Sequence, residues 1–255
     1  GRDWSSDVCS SDLRGPGLPA IASGASAEDW SSFQNGGRST TDVELPLRWT
    51  PDSDAIAWQS EIPGYGQSTP VVGGGQVFVT STSGDNKEQF HLTAWDLASG
   101  EKRWQTDFAN PSPEPNNSYV SRSAPSPVVD ADGVYAFFEG GIVASVDFQG
   151  SVRWQRDLVA EFGPIAARHG LSSSLEHDPT RVFVWVERQE EPYLAALDKR
   201  TGETVWKVPG LGSTTWGSPR LITVGDRTHL VCSAVGKIVG FDPATGERLW
   251  ELEGI

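Results

Sequence analysis

A short pattern that ends in tryptophan recurs along this chain at nearly regular intervals. It reads A-x-D-x-x-T-G-x-x-x-W and occurs in full at residues 196–206. Copies with one small change occur at 94–104 and 240–250, and a degenerate copy, one residue shorter in the turn, ends at Trp154. Trp58 ends a similar strand without the turn, so the tryptophans at 58, 104, 154, 206 and 250 are 46, 50, 52 and 44 residues apart. A period in this range predicts repeated four-stranded sheets arranged around a common axis.

Each residue type in the repeat has a structural reason to be there. The aspartate and threonine hydrogen-bond the turn backbone, and the glycine supplies the positive φ that a tight hairpin with a bulge needs. The tryptophan ring is expected to pack beside the neighbouring sheet and to bury about 150–250 Å², and the small residue before the aspartate leaves room for it. We therefore predict a packing device, not a catalytic motif, in the residues Ala94, Asp96, Gly100, Trp104, Asp147, Gly150, Trp154, Ala196, Asp198, Gly202, Trp206, Asp242, Gly246 and Trp250.

The strand and turn pattern predicts an all-β fold, a partial β-propeller with about four complete antiparallel blades and a lead-in strand. The propeller is expected over residues 28–255, with a lead-in to residue 67. The four blades are expected at about 68–104, 122–154, 170–206 and 216–250. The segment "DADG" at 130–133 is interpreted as a hairpin turn, because it lacks the later ligands of a calcium loop.

Composition limits the kinds of partner. The 255 residues are 37% hydrophobic, with 28 glycines, 17 prolines and 11 tryptophans, which suits a globular chain of short strands and turns. The net charge of −14 argues against nucleic acid or an anionic membrane and favours a neutral or basic partner. No stretch of 18 apolar residues is present, so no transmembrane segment is predicted.

The first 27 residues do not fit the pattern that follows. The stretch "DWSSDVCSSDL" at 3–13 back-translates to a common short-read sequencing adapter, so residues 1–13 are expected to be a translated adapter; a natural flexible tail is the alternative. Residues 14–27 end in Ala25-Ser26-Ala27, which predicts either the remnant of a signal peptide, and hence a periplasmic or secreted protein, or a small-residue linker. Without Cys9, only Cys232 remains, in an apolar run where a small core residue is expected.

Catalytic signatures are missing from the sequence. It contains no G-x-S-x-G, H-E-x-x-H or P-loop motif, and the four histidines at 91, 169, 177 and 229 have no close metal-ligand spacing. The charged stretch "ERQEE" at 187–191 is interpreted as a solvated hairpin end.

Loops that join one blade to the next tend to surround the axis of a propeller, where ligands bind. The long ones here are expected at 108–125 and 158–174, with a shorter one before residue 219. Tyr119, Arg122, His169 and Trp216 are the aromatic and polar candidates for contacts with a ligand or partner. The alternative is that these four are ordinary loop residues.

Over roughly residues 28–255, the repeats resemble the tryptophan-docking repeats of the quinoprotein family, the PQQ-binding-like β-propellers. Relatives include secreted bacterial propellers, the outer-membrane assembly lipoprotein propeller, which is a scaffold, and quinoprotein alcohol dehydrogenases, which are enzymes. Family members usually have seven or eight blades. The resemblance therefore implies the N-terminal half of a longer propeller, whose uncovered blade faces would favour self-association.

The resemblance also separates two functions. Quinoprotein dehydrogenases use a vicinal Cys-Cys pair, a calcium site and a catalytic aspartate; this chain has no Cys-Cys pair and no acidic residues that can be matched to the calcium ligands. This favours a non-catalytic, exported scaffold with a protein or cell-envelope partner. The alternative is a divergent PQQ-dependent oxidoreductase of alcohols or sugars, with PQQ and calcium, whose cofactor site is incomplete here. The choice rests on analogy, because fold alone does not fix function.

Overall fold

The computed structural model describes residues 29–37, 44–117, 119–167, 169–188, 190–212 and 216–254. The expected adapter stretch at 1–13, with Cys9, and the expected leader remnant at 14–27 lie outside these described residues.

The described chain folds into four antiparallel sheets, each with four strands in chain order. This confirms the all-β, four-bladed part of a β-propeller, and we number the sheets as blades 1 to 4. The outer strands continue three to five residues past the predicted blade ends. The strands of blades 1 and 2 are β1 (Val71–Gly73), β2 (Gln76–Ser83), β3 (Gln89–Asp96), β4 (Lys102–Ala109), β5 (Val128–Asp130), β6 (Gly133–Phe137), β7 (Ile142–Val146) and β8 (Val152–Asp157). Those of blades 3 and 4 are β9 (Glu176–His177), β10 (Arg181–Val186), β11 (Tyr193–Asp198), β12 (Thr204–Pro209), β13 (Arg220–Val224), β14 (Arg227–Ala234), β15 (Lys237–Phe241) and β16 (Arg248–Glu253).

Helical structure in the described part of the chain is limited to two short segments. A 3-10 turn spans Phe33–Gly37, and the helix α1 spans Leu158–Phe162. The carboxylate of Asp157 caps α1 by accepting hydrogen bonds from the amides of Val159 and Ala160. Neither segment is long and apolar enough to cross a membrane.

The repeated aspartate closes the turn between the third and fourth strands of each blade. In blade 3, Asp198 Oδ1 accepts hydrogen bonds of 2.9 Å from the amides of Arg200 and Thr201. Gly202 follows with a φ of 75°, a conformation that is costly for a residue with a Cβ. Asp96, Asp147 and Asp242 make the corresponding bond to the amide two residues later.

The repeated tryptophan fastens each blade to the next. Trp154 of blade 2 donates a hydrogen bond of 2.8 Å to the carbonyl oxygen of Lys199 in the turn of blade 3. Its ring lies against Gly202, where an added Cβ would come within 2.7 Å of the indole. The same bond to the residue after the turn aspartate is made by Trp58 to Leu97, by Trp104 to Phe148 and by Trp206 to Pro243.

Hydrophobic cores lie between adjacent blades. The first joins blades 1 and 2, the second joins blades 2 and 3, and the third joins blades 3 and 4. Cys232 is fully buried in the third core, where burial raises the pKa of its thiol. The cysteine therefore packs as a small apolar residue, as predicted.

A relay of hydroxyl groups runs across the inner strands from blade to blade. The amide of Thr69 donates to Ser126 Oγ at 2.9 Å, the amide of Ser126 donates to Ser174 Oγ at 3.0 Å, and the amide of Ser174 donates to Ser218 Oγ at 3.0 Å. The relay satisfies backbone donors that lie just before the inner strands of blades 1, 2 and 3.

The segments before blade 1 attach to it at several places, one of which is the pair of backbone hydrogen bonds of 2.7 Å between Tyr65 and Thr82. Trp30 pairs with Val72 of the inner strand through two backbone hydrogen bonds of 2.9 and 2.8 Å. Ser60 Oγ donates to the carbonyl oxygen of Gly100 at 2.6 Å, beside the Trp58 contact. Trp58 and Ser60 therefore contact blade 1 as Trp104 and Thr106 contact blade 2.

The segment 130–133 forms the hairpin turn between β5 and β6, which confirms that interpretation. Asp130 Oδ1 accepts a hydrogen bond of 2.8 Å from the amide of Asp132, and Gly133 ends the turn with a φ of 147°.

Candidate functional site

One end of the four blades carries the inter-blade loops, and we call it the loop face. It is formed by the hairpins between the second and third strands and by the segments 110–127, 158–175 and 210–219. The first loop lies along the blade 1 hairpin, because the amides of Asn110, Glu114 and Asn116 donate to the carbonyls of Glu88, Asn86 and Asp85. The first loop is therefore held by backbone contacts to the hairpin.

A buried ion pair lies beneath the first loop. Lys87 is fully buried, and its Nζ lies 2.7 Å from Glu114 Oε1, 3.0 Å from the carbonyl oxygen of Ser121 and 3.6 Å from Glu139 Oε1. Both oxygens of Glu139 accept from the amide of Ser123 at 3.0 Å. Burial raises the pKa of Glu139, although Ser123 and Lys87 act in the opposite direction. The pair connects hairpins of blades 1 and 2 to the loop between them.

A second buried carboxylate occupies the corresponding place in blade 3. Glu187 Oε1 accepts hydrogen bonds of 2.6 Å from Trp185 Nε1 and from the amide of Leu211. Tyr135 and Phe183 occupy equivalent positions, because each pairs across the sheet with the first residue of the repeat in its blade, Ser145 and Ala196. Glu139 and Glu187 each lie four residues after these positions. Each therefore anchors an inter-blade loop from the same position in its blade.

The neighbouring arginine holds the end of helix α1. Arg188 is 5% exposed and donates to the carbonyl oxygens of Phe162, Gly163 and Pro164 at 2.6 to 2.8 Å. The prediction that 187–191 is a solvated hairpin end is thus wrong for Glu187 and Arg188, although Glu190 and Glu191 are exposed. The charges are buried because the helix end and the 210–212 segment offer them hydrogen-bond partners.

The structure places all four predicted candidates on the loop face, on three successive loops. The Arg122 guanidinium lies 5.5 Å from the ring centre of Tyr65, and Arg122 exchanges hydrogen bonds with Gln67. The rings of His169 and Trp216 lie 5.9 Å apart. The carbonyl oxygen of His169 accepts from the amide of Ser121 at 2.8 Å, which joins the first loop to the second. These contacts do not gather the four side chains into one pocket.

Three large aromatic side chains are exposed on this face, among polar and acidic residues such as Glu114 and Glu190. Tyr119 is 80% exposed, Tyr65 is 52% exposed and Trp216 is 51% exposed. Near them, Arg122 Nε, Ser121 Oγ and Ser123 Oγ are buried without a hydrogen-bond partner among the described residues. Such a surface can bind through aromatic contact area and hydrogen bonds, while the buried charges beneath it are already paired.

Sequence reasoning missed Lys87, Glu139, Glu187 and Arg188. Charged residues in hairpins are usually solvated, so these four gave no signal of their own. A signal was present in the strands before the glutamates, since "GVYAFFE" and "RVFVWVE" each run without a break from buried apolar residues into a glutamate. In blade 1, Lys87 of the charged hairpin between β2 and β3 is buried because the first loop lies over that hairpin.

Comparison with solved structures gives the same fold. A quinohemoprotein alcohol dehydrogenase from Pseudomonas putida HK5 is 16% identical with a TM-score of 0.57, over 88% of this chain and 40% of that protein. The corresponding enzyme from Comamonas testosteroni is 16% identical with a TM-score of 0.52, over 74% of this chain and 35% of that protein. BamB from Moraxella catarrhalis is 18% identical with a TM-score of 0.49, over 77% of this chain and 51% of that protein. The chain thus spans about a third to a half of the length of these proteins.

Comparison with family models is more specific. No curated protein sequence matches the chain. The model described as outer membrane protein assembly factor BamB matches residues 38–167 and 190–253, which is well over half of the chain. Together with the four blades, this match confirms the predicted resemblance, and the chain belongs to the PQQ-like β-propeller repeat family described as outer membrane protein assembly factor BamB.

Proposed function

We propose that this protein is a non-catalytic, exported β-propeller that acts as a binding or assembly scaffold and presents its loop face to a protein partner. The observation that carries the proposal is the exposure of Tyr65, Tyr119 and Trp216 on one face, with Arg122 among them. Tyrosine, tryptophan and arginine are the side chains that dominate the energy of protein interfaces.

The buried charges beneath this face support the proposal. Lys87 and Glu139 hold the loop that carries Tyr119 and Arg122, and Glu187 holds the start of the loop that carries Trp216. Contact residues on loops fixed in this way lose little conformational entropy on binding. The scaffold is therefore suited to bind a partner without large rearrangement.

The nature of the partner follows from charge and family. A chain with a net charge of −14 associates most readily with a neutral or basic protein surface. The family description names a factor in outer membrane protein assembly, which supports a partner in the cell envelope and a periplasmic or secreted location. The A-x-A pattern before Glu28 is in keeping with export.

The alternative of a PQQ-dependent oxidoreductase requires oxygen ligands for calcium and partners for the cofactor. The residues that the structure describes do not fit such a site. Glu139 and Glu187, the buried carboxylates of the loop face, are already bonded to Lys87, Ser123, Trp185 and Leu211. Cys232 is buried in a core between two blades, and no group of three potential metal-ligating side chains occurs among the described residues.

Site-specific photo-crosslinking in the native host would test the scaffold proposal. A photoreactive residue at position 119 or 216 should form an adduct with the same protein, whereas one at the exposed Asp226, on the opposite end of blade 4, should not. With that partner purified, Arg122→Ala and Trp216→Ala should each weaken binding by about tenfold or more.

Two results would contradict the proposal. One is adducts that are equally frequent at positions 119 and 226. The other is stoichiometric binding of PQQ with calcium and reduction of an artificial electron acceptor by an alcohol or sugar, which would favour the oxidoreductase.

A further inference from the structure

The end of the blades opposite the loop face, which we call the turn face, contains a cavity at the joint between blades 2 and 3. Its volume is about 490 Å³, and a second cavity of about 370 Å³ adjoins it. Asp132, Pro179 and Lys199 line both cavities. The larger cavity is within the size range of pockets that bind small ligands. Its remaining walls are formed by Tyr135, Arg153, Thr180, Asp198 and Arg200.

A cluster of titratable groups, in which Lys199 is buried and Asp130 and His177 are half-buried, forms the floor of this joint. Lys199 is 5% exposed, and its Nζ lies 2.6 Å from Asp130 Oδ2 and 2.7 Å from His177 Nδ1. The same ammonium lies 5.3 Å from the ring centre of Tyr135. Since His177 Nδ1 accepts from a lysine, the imidazole is neutral and carries its proton on Nε2. Burial, with a contribution from Lys199, lowers the pKa of His177 to about 4.

The other two joints between blades pack without charged residues at the positions equivalent to His177 and Lys199. At the joint of blades 1 and 2, the residue after the turn aspartate is Phe148, and its ring lies 6.0 Å from Phe78, the counterpart of Tyr135. At the joint of blades 3 and 4, that residue is Pro243. The counterparts of His177 in the other inner strands are Val72, Val129 and Leu221.

The charged cluster is therefore specific to one of three otherwise similar joints. Burying charged groups costs free energy that apolar residues of similar size would not cost. Perturbed ionisable groups that lie beside a cavity occur preferentially at functional sites. The joint of blades 2 and 3 has both features, whereas Phe148 and Phe78 give the preceding joint an aromatic contact.

We propose that the cavity between blades 2 and 3 binds a small polar ligand that carries a carboxylate or phosphate group. Its walls carry three cations, Arg153, Arg200 and Lys199. Lys199 is bonded to Asp130 and His177, and one nitrogen of Arg153 donates to the carbonyl oxygen of Asp132. The Arg200 guanidinium and the remaining N–H groups of Arg153 supply the donors, and arginine is well suited to bind a planar or tetrahedral oxyanion through paired hydrogen bonds.

Of the carboxylates of the two cavities, Asp130 is paired with Lys199, Asp178 is paired with Arg181, and Asp198 is bonded to the amides of its own turn. Asp132 also lines the cavity and can accept hydrogen bonds from hydroxyl groups of the ligand. The site thus favours a hydroxylated acid over a simple inorganic anion.

Three sugars of similar size make the charge test direct. Glucuronate and glucose 6-phosphate carry the two oxyanions, and glucose is the neutral control. At low ionic strength, at least one of the two acids should bind about tenfold more tightly than glucose in calorimetric or NMR titrations, because hydrogen bonds to charged groups are the stronger ones. The comparison of the two acids identifies which oxyanion the site prefers.

Substitutions in the cavity wall test whether the acid binds there. The double substitution Arg153→Gln and Arg200→Gln should lower the affinity of the acid about tenfold, whereas Arg227→Gln, on the same face of blade 4, should leave it unchanged.

A second variant separates binding from stability. Asp130→Gly, His177→Val and Lys199→Phe together copy the residues that the chain uses at equivalent positions in blades 1 and 2. This triple variant should fold and lose the preference for the acids. The proposal is overturned if neither acid binds better than glucose, or if either variant keeps the full affinity.

Discussion

Trp154 and Lys199 join blades 2 and 3 through both the backbone and the side chains. The indole nitrogen donates a hydrogen bond of 2.8 Å to the Lys199 carbonyl oxygen, while the ammonium of the same lysine is bonded to Asp130 and His177. One residue thus takes part in the repeated contact between blades and in the polar joint that is particular to blades 2 and 3.

The repeated tryptophan should contribute most to stability where its ring packs against a following blade. Trp206 is 9% exposed and contacts blade 4, whereas Trp250 is 37% exposed and donates to His229 within its own blade. Trp206→Ala should lower the free energy of unfolding by about 3–5 kcal/mol, as is usual for a buried aromatic residue. Trp250→Ala serves as the matched control and should cost clearly less in urea unfolding experiments. Equal losses would show that the ring contributes within its own blade.

The repeated glycine is constrained by both its backbone conformation and the ring above it. Gly202 has a φ of 75°, and a Cβ there would lie 2.7 Å from Trp154. Gly225 has a φ of 65°, and a Cβ added there would have no atom within 4 Å. Gly202→Ala should therefore cost about 2–5 kcal/mol, and Gly225→Ala only the conformational part of about 1–2 kcal/mol. Urea unfolding of the two variants measures both losses in the free energy of unfolding. Similar losses would rule out a steric contribution of the indole.

The buried pair beneath the loop face should behave as a coupled unit. Lys87→Met leaves the carboxylate of Glu139 buried with fewer partners, and we expect a loss of about 3–5 kcal/mol in the free energy of unfolding. Adding Glu139→Gln to Lys87→Met should recover part of this loss, because the second change removes the unpaired charge. A double-mutant cycle measured by chemical unfolding tests this; simple additivity of the two changes would contradict the coupling.

The neutral His177 predicts a dependence of stability on pH. Its pKa in the folded protein is about 4, below the ordinary value of 6.5, so the unfolded chain takes up the proton first. Stability due to this group is therefore present above pH 6.5 and is lost as the pH falls towards 4. Unfolding free energies measured between pH 7.5 and pH 4 should fall less steeply for His177→Leu than for the unmodified chain. Equal slopes would mean that the histidine has the same pKa in the folded and unfolded chain, which would contradict the lowered pKa.

The face of blade 4 that points away from blade 3 carries exposed apolar side chains, and we predict that this 255-residue chain self-associates through it. Val224, Val235 and Leu252 are more than half exposed there, and no other described residues cover them. Sedimentation velocity should reveal a concentration-dependent increase in mass that the substitutions Val224→Glu and Leu252→Lys abolish. Leu47→Glu changes a leucine that is 98% exposed elsewhere and should have no effect. A chain that stays monomeric at all concentrations would refute this prediction.

Much of the fold could be predicted from local features of the sequence. The alternation of apolar residues, the Asp-to-Gly turns and the spacing of the tryptophans determine strands, hairpins and blades, because each depends on residues near one another in the chain. The outer strands extend three to five residues beyond the tryptophans, since a strand continues as long as a partner strand is available.

The candidate sites were less predictable, for a physical reason. The sequence alone indicated that Tyr119, Arg122, His169 and Trp216 lie in loops, but not that Lys87, Glu139 and Arg188 are buried beneath or beside those loops. Nor did it indicate that Lys199 would meet Asp130 and His177, which are 69 and 22 residues away. The sequence determined the repeated blade, whereas only the tertiary structure decided which charges became buried, because burial depends on how separate blades and loops pack together.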